Sequence, residues 1–489
     1  MKVNFITEYG ADIGYGHLMR CLSLSQAFEA RGIDPMFVLH TEEPVPDILT
    51  GRQSQIVDWH KDPGKLREAI AGSDITLVDS YLADTGVYES IAASSEYAVY
   101  MDDGNRRHFP KGMVVNGAIA ADEIDYPKKP GLHYLLGPRY IALRAAFRTV
   151  PLKEIKTDVD HVMITFGGGD FRNLTPKLLR AVSECYPDWR KTVVVGKDFR
   201  NVDDIEAACD HNTKPVFSPD AEGMKTAMLS ADIVVSAGGQ TLYECARVGV
   251  PVIGVAVAGN QGANVRGGQQ AGLLESASSW KRDDWADAVL GKIELLRDRQ
   301  CRLNMSRQGR EAVDGAGAER IVRECLKSYF TELLVFRKAR HNDLMDVFAL
   351  SNDPMVRAAS FHPDPIGLAS HRSWYGDRLR DPHCLFYVAE AGSDLVGQVR
   401  FDLKDPVAVV SISIHQIGRG CGVGAWLLNK GIDSLKRGRP EVDTVLAHIK
   451  GENKGSTRFF ERFGFEYVQE TTVSKQKAKT YAVRLRQGA

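Results

Sequence analysis

The chain has 489 residues, of which 44% are hydrophobic and 26% charged. That is too long for one hydrophobic core and suggests about three domains of an ordinary globular protein. Its 62 Lys and Arg against 63 Asp and Glu leave a net charge of -1, so no global field recruits nucleic acid or an acidic membrane. Eight scattered cysteines include no C-x-x-C pair and no metal-ligand spacing, so no metal is expected and the thiols read as those of a reducing cytoplasm. The chain opens directly on a strand-like run, with no basic segment leading into an apolar one, so no secretory leader is expected. No apolar run reaches the roughly 18 residues that a membrane span requires.

The first run, Lys2-Val3-Asn4-Phe5-Ile6-Thr7, reads as a strand. Gly14-Tyr15-Gly16-His17-Leu18-Met19-Arg20 follows, and Leu18, Met19, Leu22, Ala27 and Phe28 then recur at helical spacing up to Ala30. Strand, glycine turn and helix build a crevice at the carboxyl edge of a sheet, where open α/β sheets bind ligands. Gly14 and Gly16 let the backbone approach an anionic substrate at the free N–H groups of the helix start. The positive helix end disfavours a second positive charge, so His17 is expected to be a neutral base near pH 7. The bland reading of His17 is a capping or structural histidine; the flanking glycines and the strand context favour a catalytic one. Arg20, one turn on, is either a pyrophosphate ligand or a solvated helix-face arginine.

Further strand-like runs, at Pro35–Leu39, Ile75–Asp79 and Tyr97–Met101, alternate with helical stretches up to about Phe147 and argue for a parallel sheet covered on both faces. The charged stretch Pro151–Asp158 reads as a hinge or linker. A second α/β unit opens at His161-Val162-Met163-Ile164-Thr165-Phe166, runs into Gly167-Gly168-Gly169-Asp170, and continues to about Phe330. Within it the buried strand Ile233–Ala237 leads into Gly238-Gly239-Gln240-Thr241-Leu242-Tyr243-Glu244 and a helix through Val248. Glycines at such a turn expose N–H groups to a pyrophosphate, and Glu244 can accept from a ribose diol. After the strand Pro251–Val255, Asn260 and Gln261 offer two amides at a helix start; the alternative for Asn260 is a helix cap.

From Leu334 onward the pattern becomes α+β. The strand Ala408–His415 runs into Arg419-Gly420-Cys421-Gly422-Val423-Gly424-Ala425, whose glycines can curl N–H groups around a pyrophosphate. Asn453, the helix Thr457–Arg462 and Gly464-Phe465 close the segment. The division expected is therefore 1–150, 151–330 and 334–489.

On these motifs the first 330 or so residues resemble the UDP-sugar hydrolase of the pseudaminic acid pathway. The segments that carry the likeness are Gly14–Arg20, Val78-Asp79-Ser80-Tyr81, Phe166–Asp170, Ser236–Glu244 and Asn260-Gln261. The resemblance implies a glycosyltransferase-B-like pair of Rossmann-type domains. It also implies metal-independent, inverting cleavage of the sugar C1–O bond by water, with His17 as base, Tyr81 assisting at the sugar and Asn260 holding substrate. Gly14, Gly16, Arg20, Asp170, Gly238, Gly239, Gln240, Thr241, Glu244 and Gln261 make up the expected substrate-binding set.

The R-x-x-G-x-G run resembles the acyl-CoA loop of the GCN5-related N-acetyltransferases, so acetyl-CoA is the implied cofactor. Arg419, Gly420, Gly422, Gly424, Ala425 and Asn453 are its expected binding residues. Ser351–Arg357 and His371–Tyr375 resemble the acetyltransferase of the same sugar pathway, which acts on the 4-amino group of a UDP-linked sugar. Many such enzymes carry a tyrosine where this chain has Phe459 and Phe460, so that role is vacant or falls to a strand N–H, a water, Tyr467 or Tyr481, and His448 is either a base or an ordinary surface histidine.

The function expected is a cytoplasmic bifunctional enzyme that N-acetylates a UDP-4-amino sugar and then hydrolyses the product to free sugar and UDP. Its partners are small molecules, with no nucleic acid and no membrane, and the oligomeric state is not legible. The competing readings are a glycosyltransferase or a hydrolysing 2-epimerase fused to an acyltransferase, and a non-catalytic nucleotide-sugar sensor with a protein acetyltransferase.

Overall fold

A computed structural model describes residues 1–10, 13–105, 107–259 and 261–485. The chain forms two compact units, Lys2–Val322 and Arg323–Ala489, the latter taking in Met1 as well. The larger unit contains two wholly parallel sheets, the arrangement favoured by short apolar strands that mostly alternate with helices.

In the first sheet the strands are β1 (Val3–Glu8), β2 (Met36–His40), β3 (Gln53–Ile56), β4 (Ser73–Asp79), β5 (Ser95–Met101), β6 (Gly112–Asn116) and β7 (Leu132–Leu136). Their spatial order is β3-β2-β1-β4-β5-β6-β7. The chain thus moves outward in one direction from β1 and then crosses to the other side at β4. This reversal puts a crevice at the carboxyl ends of β1 and β4.

The second sheet is built from β8 (His161–Thr165), β9 (Arg190–Val195), β10 (Thr213–Phe217), β11 (Ile233–Ala237), β12 (Val252–Ala256) and β13 (Glu275–Ser279). Its order, β10-β9-β8-β11-β12-β13, places a second switch between β8 and β11. Alternation along the strands explains why both faces are covered. Val162, Ile164, Val193, Val195, Ile233, Val235, Ile253 and Val255 enter one buried cluster. Their neighbours Met163, Val194, Val234 and Val252 enter the other.

Between the sheets, Pro151–Asp158 is irregular backbone but is tied down. Arg299 donates to the Ile155 carbonyl at 3.1 Å, and Arg302 to those of Lys156 and Thr157 at 3.0 and 2.8 Å. Lys153 is buried, its ammonium donating to the Leu229 carbonyl, and burial pushes its pKa down to about 8. A hinge in the sense of a free tether is therefore replaced by a strapped connection, because three backbone carbonyls that would otherwise face water meet guanidinium forks.

The smaller unit is mostly antiparallel. Its strands are β14 (Val335–Lys338), β15 (Cys384–Ala391), β16 (Asp394–Lys404), β17 (Val407–Ile414), β18 (Thr444–Lys450), β19 (Glu466–Val473) and β20 (Gln476–Arg484), in the order β14-β15-β16-β17-β18-β20-β19. Among the described residues only β17 and β18 run parallel, and they pair from Val407/Thr444 to Val409/Leu446. Beyond that point β17 continues to Ile414 and β18 to Lys450 without partnering each other, so the sheet opens into a wedge. Among the described residues no helix is long and apolar enough to cross a membrane.

Candidate functional site

At the first switch point the helix Gly16–Glu29 follows β1, and Gly14 makes the turn with φ +80°. Among the described residues no side chain caps this helix. His17 is buried at its first turn, and its Nδ1 lies 2.7 Å from Oδ1 of the fully buried Asp79, the last residue of β4. Arg20 clamps the same carboxylate with two bonds, Nε to Oδ2 at 2.5 Å and Nη2 to Oδ1 at 2.6 Å, and reaches Oδ1 of Asp103 at 2.8 Å. The Tyr81 hydroxyl donates to the other Asp103 oxygen at 2.7 Å, and its ring stands edge-on to the His17 ring with centroids 4.3 Å apart. Behind them, the buried Glu8 accepts the backbone N–H groups of Tyr81 and Leu82, fixing the chain after β4.

The electrostatics follow from these contacts. Burial opposes ionisation of Asp79, but Arg20 and His17 outweigh it and hold its carboxyl well below the usual carboxylate range. An ionised Asp79 can only accept, so neutral His17 carries its proton on Nδ1 and leaves Nε2 with a lone pair. For His17 itself, burial favours the neutral ring, yet the Asp79 carboxylate more than offsets this and the pKa is raised above 6.5. The expectation of a ring kept neutral by the helix end is corrected here: a carboxylate in contact outweighs partial helix charges. The solvated helix-face alternative for Arg20 is corrected: its guanidinium is held by Asp79 and Asp103.

At the second switch point Gly167-Gly168-Gly169-Asp170 follows β8, and Gly238-Gly239 follows β11. The Gly238–Gly239 pair divides its roles. A Cβ on Gly238 would lie 2.8 Å from Val265 and 2.9 Å from Gln261, whereas among the described residues one on Gly239 would meet only the Gln261 amide at 4.0 Å. Gly238 is thus needed for packing, and Gly239 is not. Gln261 knits the site together, its Oε1 accepting from the N–H groups of Gly238 and Val257. Gln240 donates to the Ala142 carbonyl, and Thr241 begins a helix, Thr241–Val248, that no side chain among the described residues caps. The Tyr243 hydroxyl receives the Ile119 N–H and donates to Asn264, joining the end of the first sheet to the second.

Two expected ligands are engaged otherwise. Asp170 accepts the N–H groups of Leu174 and Thr175 at 2.9 and 2.7 Å and so serves the start of the helix Leu174–Cys185. Glu244, buried, gives both oxygens to the fork of Arg144, each at 2.8 Å. Asn260 lies outside the described residues.

In the smaller unit, Gly420 and Gly422 sit at φ +73° and +87°. Gly422 is the N-cap of the helix Val423–Gly438, which has no side-chain cap, so the backbone N–H groups of Val423, Gly424 and Ala425 begin it unclaimed by a cap. Gly424 packs near Phe459, where an added Cβ would lie 3.4 Å from the ring. Arg419 donates to Asp353 at 2.6 Å and to the Ile414 carbonyl at 3.0 Å, anchoring the loop rather than standing open to a ligand. Asn453 caps the helix Lys454–Arg462 through the Ser456 N–H. His448 on β18 bonds the Thr480 hydroxyl at 3.1 Å, and burial with Lys404 nearby lowers its pKa, keeping it neutral. Tyr481 pairs with Ala447, so by alternation it stands on the opposite face of the sheet from His448. Tyr467 is exposed and Tyr481 is buried against it.

Sequence reasoning missed Asp79, Asp103 and Arg144. Asp79 stood within a quoted motif, but only the β1–β4 pairing brings it to His17.

Residues 345–465 match the acetyltransferase (GNAT) family. Along 99% of its length the chain is 22% identical to an uncharacterized protein of Methanocaldococcus jannaschii, covering 100% of it. Over 66% of its length it is 21% identical to a spore coat polysaccharide biosynthesis protein of Bacillus subtilis, covering 96% of that protein. It is also 21% identical, over 57% of this chain and 48% of the relative, to the pseudaminic acid cytidylyltransferase and UDP-2,4-diacetamido-2,4,6-trideoxy-beta-L-altropyranose hydrolase of Helicobacter pylori. The chain is therefore similar to a fusion of a pseudaminic-acid-pathway hydrolase with a GNAT acetyltransferase domain, and acetyl-CoA is the acyl donor of that family.

Proposed function

We propose that the chain is a bifunctional nucleotide-sugar enzyme. Its smaller unit transfers acetyl from acetyl-CoA to the amine of a UDP-4-amino-4,6-dideoxy sugar, and its larger unit hydrolyses the UDP-2,4-diacetamido-2,4,6-trideoxyhexose. The two parallel sheets are read as a glycosyltransferase-B-like pair. What carries the hydrolase reading is the buried His17–Asp79 pair at the β1/β4 switch point. Such a pair presents a ring nitrogen as base while its carboxylate stabilises the imidazolium that forms.

In the reaction His17 Nε2 takes a proton from water, and the oxygen attacks C1 on the face opposite UDP. The C1–O bond then breaks with its electrons passing to the diphosphate, and the configuration inverts. UDP is a good leaving group, so backbone N–H groups around Gly239 and Thr241 suffice to receive its developing charge. Tyr81 supports the sugar beside His17, while Asp79, Arg20 and Asp103 hold both rings in place. Asn260 remains assigned to substrate on the resemblance alone.

For acetyl transfer, the uncapped start of Val423–Gly438 cradles the pyrophosphate of coenzyme A, and the wedge between β17 and β18 admits the thioester. The sugar amine attacks the thioester carbonyl and gives up a proton to the base, the C–S bond breaks with its electrons passing to sulfur, and the thiolate takes a proton from water. Neutral His448 is the base candidate.

Mass spectrometry of products from UDP-4-amino sugars, with and without acetyl-CoA and with no glycosyl acceptor, tests the whole reading. Stoichiometric UDP and free diacetamido sugar are expected. UDP release only when an acceptor is added would instead mark a glycosyltransferase.

A further inference from the structure

Glu244 and Arg144 lie 100 residues apart in sequence and meet as a fork against a fork: Nε to Oε1 and Nη2 to Oε2, both 2.8 Å. The carboxylate is almost wholly enclosed, the guanidinium 17% exposed and set 5.3 Å over the Phe147 ring. A cis-diol offers a carboxylate the same pattern, two donors side by side for two oxygens. Ribose and Arg144 therefore compete for one acceptor, and both cannot be satisfied at once. We propose that Arg144 is an exchange residue of the nucleotide site: the ribose hydroxyls displace it from Glu244, and the released guanidinium turns to the diphosphate.

This inference rests on the reading of Gly238–Glu244 as the nucleotide segment. Its logic is one of charge. Removing a buried carboxylate's cation leaves an unpaired charge, which two neutral hydroxyl donors only partly relieve. The diphosphate brings compensating negative charge for the displaced cation, so the swap is balanced only when the ribose arrives with its phosphates. A nucleoside alone must displace Arg144 without offering it a new partner. Arg144 would thus add to the preference for nucleoside diphosphates over nucleosides that the backbone N–H groups already give. Its location suits the role: Arg144 immediately precedes the short turn Ala145–Phe147, whose first N–H bonds Gln26 on the helix that carries His17.

Isothermal titration calorimetry of the full-length protein with UDP, uridine and 2′,3′-dideoxyuridine tests this. In Arg144→Ala, UDP affinity is expected to fall at least tenfold while uridine affinity stays level or rises. Dideoxyuridine, which lacks the competing hydroxyls, should gain nothing. Arg144→Lys keeps the charge without the fork; it should restore UDP binding to within a few-fold and serves if the alanine variant does not fold. Equal weakening of UDP and uridine in a folded variant, or unchanged UDP affinity, overturns the exchange. Failure of the nucleotide reading looks different: the unaltered protein binds neither UDP nor uridine, and both proposals fall together.

Discussion

His17 illustrates how a contact overrides a local field. The helix start on which it sits repels positive charge, but Asp79 at 2.7 Å attracts it more strongly and the pKa rises above 6.5. A base must be deprotonated to act, so UDP release is expected to increase with pH through that raised value. In Asp79→Asn the acid limb should move to lower pH as the raising charge is lost, while the plateau rate falls. His17→Ala should cost about 10²–10⁴-fold in UDP release, the range for a lost general base, and leave acetyl transfer unchanged. Steady-state assays of the two activities across pH check all three outcomes. Stability follows the same pair. His17 contributes fully below 6.5 and loses its contribution as pH rises through the raised pKa; Asp79 contributes above 3.8 and loses it as pH falls. Thermal unfolding from pH 3 to 9 should therefore show Asp79→Asn most damaging at mildly acidic pH.

Elements carried their own signals in the sequence. Ile233–Ala237 is the strand expected, and Gly16–Glu29 the helix expected within two residues, because each is written in contiguous apolar spacing. What the glycine motifs could not reveal is which partners fill the side chains beside them. Arg20, Asp170, Glu244 and Arg419 carry types suited to phosphate or sugar, yet Arg20, Glu244 and Arg419 meet partners far off in sequence, Asp79 and Asp103, Arg144, and Asp353, while Asp170 serves the helix start four residues on. The contacts of His17 with Asp79 and of Arg20 with Asp103 span 62 and 83 residues, beyond any local pattern. Two element-scale outcomes are expected. Asp170→Ala should lower stability in urea by about 1 kcal/mol, as loss of helix-start acceptors does, with little change in KM for the UDP-sugar. Valine at both Gly422 and Gly424 should abolish acetyl transfer and spare UDP release. At Gly422 the positive φ penalises any side chain, and at Gly424 the added bulk meets Phe459.

At the scale of the whole molecule, the two activities are independent in this reading. A mixture of His17→Ala protein with the double-glycine variant should convert a UDP-4-amino sugar and acetyl-CoA to free diacetamido sugar, through a UDP-linked diacetamido intermediate visible by mass spectrometry. Failure of the mixture when each variant retains its own single activity would mean that the intermediate never leaves one chain. The α/β and α+β halves were legible because their periodicities differ. The wedge at β17 and β18 was not, since it depends on where two strands cease to pair.

Cys21 and Cys245 lie in the helices that bear His17 and Glu244, both fully shielded, and burial raises each thiol well above its ordinary pKa. Cys185 is exposed. The molecule thus carries built-in chemical clocks: an alkylating reagent should cap Cys185 at once, and reach the two shielded sulfurs only as often as their own helices breathe open.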